Sequence, residues 1–371
     1  VEQAMPEVDD DSTLLILYGD VPLLRDSTMT ELVRIGEGGF GLLTVHVADP
    51  GGYGRIVRDQ HGAVERIVEE KDASEHERTI SEVNSGIMCT SAKHMRAWLS
   101  QLENDNAQKE YYLTDTIAMA VKAGIAVKTT HPEAEEEVAG VNSRSQLAEL
   151  ERYYQRQLAE QLMAAGATLV DPARLDVRGE VSTGQDVTLD VNVVLIGKVK
   201  LGNNVSIGPG CVIRDSEIGD NVEIKPMSVI EESIIESGAI VGPFARLRPG
   251  ARLAADVHIG NYVEIKNSHI GKGSKVNHLS YVGDTTMGAG VNIGAGTITA
   301  NYDGANKHRT IIEDNASVGS NSVLVAPIKV GKDATLGAGT ILRKQAPEGE
   351  LTLSVSKQKT ICGWERPKKK S

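Results

Sequence analysis

Aromatic residues are scarce in this chain: they make up 4% of 371 residues, with two Trp and two Phe. That composition points away from an aromatic-rich globule, and the 40% hydrophobic content must be mostly aliphatic. Cysteine is also rare. Cys89, Cys211 and Cys362 lie far apart, make no CxxC pair and give no disulfide framework. A reducing, cytoplasmic setting fits that usage. No apolar run reaches the roughly 18 residues of a membrane helix, so no membrane partner is expected. The start shows no charged-then-apolar leader. Positive charge is in deficit, with a formal net charge of −12, which argues against non-specific nucleic-acid binding. The one basic stretch, Arg366-Pro367-Lys368-Lys369-Lys370, reads as a solvated chain end. An initiator Met is lacking too, and the chain is expected to start inside a longer protein.

What is abundant is glycine, at 38 residues, and its placement changes along the chain. Residues 1–142 read as mixed α/β. The run Leu14-Leu15-Ile16-Leu17-Tyr18 predicts a strand buried on both faces. It ends at Gly19-Asp20, so a carboxylate sits at the C-terminal edge of a strand, where open α/β sheets bind ligands. A second strand is predicted at 41–45 and a turn at Asp49-Pro50-Gly51-Gly52. Residues 143–166 read as a linker helix. Leu147, Leu150, Tyr154, Leu158 and Leu162 form one apolar stripe, with Ser145 as N-cap and Gly166 as terminator.

Residues 167–371 follow a period of six. Leu189, Leu195, Leu201, Ile207 and Ile213 form one register, and Ile218, Ile224 and Ile230 the next. Val241, Leu247, Leu253, Ile259 and Ile265 follow, then Ile270, Val276 and Val282, and finally Val318, Leu324, Val330, Leu336 and Leu342. Many of these aliphatics precede Gly, as in Ile207-Gly208 and Ile259-Gly260. No α-helix holds a six-residue stripe on one face. Short strands with a turn every six residues do, and three such strands close one triangular coil of a parallel β-helix.

Several motifs occur in one order: Tyr18-Gly19-Asp20-Val21-Pro22-Leu23, Gly52-Tyr53-Gly54-Arg55-Ile56, Val83-Asn84-Ser85-Gly86, Glu110-Tyr111-Tyr112-Leu113-Thr114-Asp115 and Gly140-Val141-Asn142. Gly242-Pro243-Phe244-Ala245-Arg246-Leu247-Arg248-Pro249-Gly250, then Asn292-Ile293-Gly294-Ala295-Gly296-Thr297 and Asn301-Tyr302-Asp303-Gly304, continue it. The series resembles the bacterial bifunctional N-acetylglucosamine-1-phosphate uridylyltransferase / glucosamine-1-phosphate N-acetyltransferase family over essentially the whole chain. The resemblance implies an incomplete Rossmann-like nucleotidyltransferase domain followed by an all-β, left-handed parallel β-helix. It implies acetyl transfer from acetyl-CoA to the amine of glucosamine 1-phosphate. Uridylyl transfer from UTP would then give UDP-N-acetylglucosamine for peptidoglycan and lipopolysaccharide synthesis. A homotrimer with acetyl sites shared between neighbours is implied as well.

Acetyl transfer needs a base for the amine, and a neutral imidazole titrates near the working pH. His278 lies two residues after Val276, beside a predicted coil corner, so its side chain can leave the core. Taken alone it also reads as a surface His on a turn; the resemblance makes it the catalytic base. His258 and His269 precede inward Ile residues and are expected to point outward. The resemblance further implies that Arg248, Lys266 and Lys307 hold the acceptor phosphate, with Tyr281 and Asn292 on the sugar. It places acetyl-CoA along Ala295, Asn301, Tyr302, Ser320 and Ala338, which without it read as packing and turn residues. Where the family carries an Arg after Ile-Ser, this chain has Leu353-Ser354-Val355, with Lys357 nearby as a substitute charge.

For uridylyl transfer the resemblance implies Mg²⁺ at Asp20 and Asn142, and sugar-nucleotide contacts from Tyr18, Gly19, Asp20, Gly54, Glu69, Asn84 and Asn142. The family's Gly-rich, basic opening loop does not precede Asp20 here. Uridylyl transfer is therefore expected to be weak or lost, an expectation that normal incorporation of labelled UTP would refute. Three other readings stay open. One is a hexapeptide acyltransferase with another acceptor. Another is a zinc hydratase using three of His258, His269, His278 and His308. The last is a trimeric scaffold without activity.

Overall fold

The computed structural model describes residues 1–355 and 358–366. Lys357 and the basic end beyond Arg366 lie outside the described residues. The chain forms two compact units, Val1–Tyr154 and Gln155–Ser371. Their boundary falls inside the helix Arg144–Ala164.

The first unit is a six-stranded mixed sheet with helices. Its strands are β1 Thr13–Ile16, β2 Phe40–His46, β3 Arg55–Arg58, β4 Val64–Val68, β5 Glu82–Ser91 and β6 Val127–Thr130. The order is β4–β3–β5–β2–β6, with β1 against β5. Helices α1 Asp26–Gly36, α2 Ala92–Leu99 and α3 Asp115–Lys122 complete the unit. Phe40, Leu42, Met88, Met95 and Ile117 form one apolar cluster, and Leu32, Leu43, Val83 and Ile87 form another. Leu42 and Leu43 fall in different clusters because successive strand residues face opposite ways.

The strand at 14–18 departs from expectation. It is shorter, and Leu14, Leu15 and Ile16 are only half-buried while Leu17 and Tyr18 are exposed. The reason is position: β1 pairs only with β5, antiparallel from Thr13↔Ser91 to Ile16↔Met88, so it is an edge strand. The helix at 144–164 starts earlier than expected. The Gln146 N–H donates to Ser143 Oγ at 3.2 Å, so Ser143 is the N-cap and Ser145 lies inside the first turn. Gly166 ends it as expected, with φ +104° and its N–H donating to the Met163 carbonyl at 3.0 Å. The predicted stripe is interrupted. Leu150 and Leu162 are buried, whereas Leu147 and Tyr154 are exposed. Gln155 is buried instead, exchanging 2.7 Å hydrogen bonds with both backbone groups of Val177.

The second unit is a parallel β-helix. Every aliphatic residue of the six-residue registers is buried, none more than 3% exposed. Each such side chain contributes about 1.5–3 kcal/mol on full burial, so the repeat is itself the core. Successive coils pair in register, as in Val241↔Ile259 and Ile259↔Val276. One face is an 11-stranded sheet. The other two join into a 16-stranded sheet, because the long strands Asp176–Thr183, Val194–Leu201 and Val212–Ile218 run round a corner. Coils approach so closely that a Cβ on Gly260 would lie 2.0 Å from the Asn277 carbonyl oxygen.

Candidate active site

One corner of the β-helix carries five stacked triplets. Ile259-Gly260-Asn261, Val276-Asn277-His278, Ile293-Gly294-Ala295, Val318-Gly319-Ser320 and Leu336-Gly337-Ala338 follow one another through the pairs Ile259↔Val276, Val276↔Ile293, Ile293↔Val318 and Val318↔Leu336. The inward aliphatic fixes each triplet, and the third residue stands at the corner. His278 therefore shares a column with Ala295, Ser320 and Ala338. Backbone bonds tie the column together: Gly296 N–H to the His278 carbonyl (3.1 Å), Asn321 N–H to Ala295 (2.7 Å) and Gly339 N–H to Ser320 (2.8 Å).

The His278 imidazole is exposed, and its Nδ1 lies 3.0 Å from Asn261 Oδ1 on the preceding coil. With Nδ1–H donating to that amide oxygen, Nε2 keeps its lone pair and can take a proton. Asn261 was not singled out in the sequence. Its signal is its distance of 17 residues from His278, one coil back.

The strand Tyr281–Gly283 leaves this corner and pairs with Glu264–Lys266. At its far end stand Arg248 and Lys266, each one residue past an inward aliphatic on adjacent coils. A three-residue strand spans about 10 Å, so base and cations frame one face. Arg248 Nη1 donates to Glu264 Oε1 at 2.8 Å, and that contact holds its guanidinium above its ordinary value. Lys266 is pushed below the ordinary lysine value, first by its contact with the Lys307 ammonium and also by Arg248. Two ammonium groups and a guanidinium crowded together form a ready anion site. Gly283 leaves the room: a Cβ there would lie 2.3 Å from the Tyr281 hydroxyl.

Lys307 comes from a loop in which Tyr302 bridges Lys307, and the Tyr302 hydroxyl donates to the Gly304 carbonyl at 2.6 Å. His308 Nε2 lies 2.6 Å from Asp303 Oδ2. Asn301 is buried at the root of this loop, its Nδ2 donating to the buried Asp284 carboxylate, which also accepts from Asn267 Nδ2 at 2.5 Å. Asp284 is a second residue that sequence reasoning missed. Asn292 is exposed at the start of its strand, three residues before Ala295. His269 is exposed as expected, while His258 is half-buried and its imidazole is pushed down by burial and by Lys225 and Lys275. Among the described residues His258, His269, His278 and His308 form no group of metal-ligating atoms. Val355 is 85% exposed.

In the first unit, the remaining predicted residues also converge. Gly54 faces Glu69, whose carboxylate oxygens would lie 3.3 Å from a Cβ at that position. Thr114 Oγ1 donates to Glu69 Oε1 at 2.9 Å, and the Asn84 N–H donates to the Gly54 carbonyl at 2.9 Å. Asn84 Oδ1 accepts from the Gly86 N–H at 2.9 Å. The Tyr18 ring covers Gly86, and burial, Glu69 and Asp20 together raise its hydroxyl above the ordinary tyrosine value. Asp20 Oδ2 and Asn142 Nδ2 would lie 3.7 and 3.9 Å from a Cβ on Gly140, so 122 residues of chain close to bring them together. Gly19 is exposed, and a Cβ added there would meet no atom within 4 Å.

Similarity to known proteins extends over both units. Residues 177–259 match the GMPPB C-terminal domain model, and residues 309–344 match the hexapeptide repeat of succinyl-transferase. Three relatives are each named bifunctional protein GlmU. The one from Marinobacter nauticus is 55% identical over 370 residues, covering 100% of this chain and 82% of its own. The one from Thiobacillus denitrificans is 57% identical over 368 residues, covering 99% of this chain and 80% of its own. The one from Methylococcus capsulatus is 56% identical over 371 residues, covering 100% and 80%. The chain belongs to the bifunctional GlmU family, the uridylyltransferase/N-acetyltransferase family that its motifs resemble.

Proposed function

We propose that the β-helix transfers an acetyl group from acetyl-CoA to the amine of glucosamine 1-phosphate, with His278 as the base. The observation that carries this reading is the pairing of an exposed, amide-oriented imidazole with a cluster of Arg248, Lys266 and Lys307 across one face. His278 Nε2 takes the proton as the amine attacks the thioester carbonyl. The C–S bond breaks and CoA leaves as the thiolate. Arg248, Lys266 and Lys307 hold the acceptor phosphate, and Tyr281 and Asn292 contact the sugar. The column of Ala295, Ser320 and Ala338, with small corner side chains, leaves space for the pantetheine arm beside His278. Asn301 and Tyr302 contribute at the loop root, where Asp284 fixes Asn301.

The active form is a homotrimer. A ridge of exposed apolar residues, Met227, Phe244, Tyr262 and Leu279, climbs the coils directly beside His278. Each has φ between 50° and 59°, and the Phe244 and Tyr262 rings stack at 5.2 Å. Apolar side chains in left-handed backbone, exposed in a row, fit a surface that a neighbouring copy covers.

The first unit binds the sugar nucleotide through Tyr18, Gly19, Gly54, Glu69 and Asn84. Asp20 and Asn142 would hold Mg²⁺: both can offer side-chain oxygens, Asn142 after turning its amide, and hard oxygen donors suit that ion. An ion held by these two residues would supply positive charge against the phosphates of a bound nucleotide. The location is cytoplasmic in this reading, and no described helix is long and apolar enough to cross a membrane.

Release of CoA thiol from acetyl-CoA tests the acceptor. Release should depend on glucosamine 1-phosphate, and glucosamine without its phosphate should be a poor substitute. Equal rates with both acceptors would remove the role given to the cationic cluster.

A further inference from the structure

The first unit carries a group of metal-type ligands that the proposed function does not use. His46 ends β2, Glu82 begins β5, and His131 follows the end of β6. His46 pairs with Glu82 across the β2–β5 ladder, and β6 runs parallel to β2 on its other side. Three strand ends thus deliver three ligands to one place. One nitrogen from each imidazole and one oxygen of Glu82 all lie within 4.8 Å of one another. The two rings are tilted, with centroids 5.5 Å apart.

The surroundings hold these groups in place. His131 Nδ1–H donates to the Thr44 carbonyl at 2.9 Å, and Thr44 Oγ1 lies 3.1 Å from the same nitrogen. Thr44 Oγ1–H donates to Glu82 Oε1 at 2.8 Å. The Arg58 fork donates to both Glu82 oxygens, at 2.6 and 2.7 Å. His46 Nδ1 lies 3.4 Å from Ser81 Oγ. Ligating imidazoles and carboxylates are commonly braced by such outer contacts. A carboxylate oxygen has two lone pairs, so Oε2, which among the described residues accepts from Arg58 Nε alone, retains one. Glu82 is buried, whereas both histidines are exposed at the rim, so an ion can enter from solvent and meet a fixed carboxylate.

We propose that His46, Glu82 and His131 form a binding site for a borderline divalent transition ion of the Zn²⁺ class. Two imidazoles and one carboxylate select this class over Mg²⁺, which prefers oxygen. Bonds of about 2.0–2.2 Å require the ligand atoms to draw in by roughly 1 Å, within reach of rotations of the exposed rings. Three protein ligands leave a fourth position for water. The site shares no residue with the Asp20–Asn142 pair, and bound ion would tie the ends of β2, β5 and β6 together.

The test is Zn²⁺ titration of the full chain against a chromogenic chelator, with Co²⁺ absorption as the report on geometry. One tight site per chain is expected, with a four-coordinate Co²⁺ spectrum. His46→Ala and His131→Ala should each weaken it by more than about 100-fold, since even outer-contact losses cost 10–100-fold. His269→Ala, on the β-helix, should leave it unchanged. Both histidine variants keep the Glu82–Arg58 pair, and thermal unfolding without metal confirms that they fold. Zn²⁺ should raise the unfolding temperature of the parent chain but not of His46→Ala. Undiminished binding in the His46→Ala/His131→Ala double variant, or a six-coordinate Co²⁺ spectrum in the parent, would overturn the assignment.

Discussion

Replacing Gly260 by Ala separates the scaffold from the chemistry. The new Cβ would lie 2.0 Å from the Asn277 oxygen and 2.6 Å from the Asn277 carbonyl carbon. Both are backbone atoms, so no side chain can swing aside. Reaching ordinary contact requires the coil bearing His278 to move by roughly 1 Å or more. The 3.0 Å contact between His278 and Asn261 is set by the same two coils and would be broken. Gly271→Ala is the matched control: its Cβ would lie 2.4 Å from the Gly288 carbonyl carbon and oxygen, a similar clash at another corner. Overpacking of this kind costs about 1–3 kcal/mol. For a unit of this size that lowers the melting temperature by about 2–4 °C per kcal/mol. Both variants should melt earlier by similar amounts. Only Gly260→Ala should lose acetyl transfer heavily, because a 1 Å misplacement of a catalytic group can cost about 100-fold. Calorimetry and CoA release on the two proteins give the comparison. Equal activity in the two variants would refute the coupling between Gly260, Asn261 and the imidazole.

Two further outcomes follow from the charge and crowding described above. Because Lys307 and Arg248 push Lys266 down, Lys266 should lose its charge as pH rises at a lower pH than an ordinary lysine. KM for glucosamine 1-phosphate should climb with that loss, and Lys307→Met, while raising KM overall, should move the climb to higher pH; an unmoved profile would mean the two ammonium groups do not interact. Gly86→Ala places a Cβ 2.0 Å from the Tyr18 ring at φ +81°, a backbone conformation costing about 1–2 kcal/mol for a non-glycine residue. Calorimetric affinity for UDP-N-acetylglucosamine should fall while CoA release stays at the parent rate, and unchanged affinity would remove Tyr18 from the sugar-nucleotide site.

The β-helix was legible because its core is one-dimensional. A six-residue register of aliphatics has a single buried solution, and every register residue named from the sequence is inside. Asn261 and Asp284 were not legible at that period. Asn261 reaches His278, and Asp284 joins Asn267 to Asn301, each across 17 residues. These contacts run along the stack, so only a reading at the period of a whole coil reveals them. In the first unit a continuous apolar run could not distinguish a central strand from an edge strand. Leu14–Ile16 forms an edge because β1 is paired on one side only, with β5. The helix start slipped by two residues because Ser143 and Ser145 are equally good caps, and hydrogen-bond geometry alone chose Ser143.

The most direct test is the rate of CoA release by His278→Ala at saturating acetyl-CoA and glucosamine 1-phosphate. If Nε2 takes the amine proton, kcat should fall by about 100–10,000-fold, with the melting temperature unchanged because the ring is exposed. A folded His278→Ala protein releasing CoA at the parent rate would contradict that role.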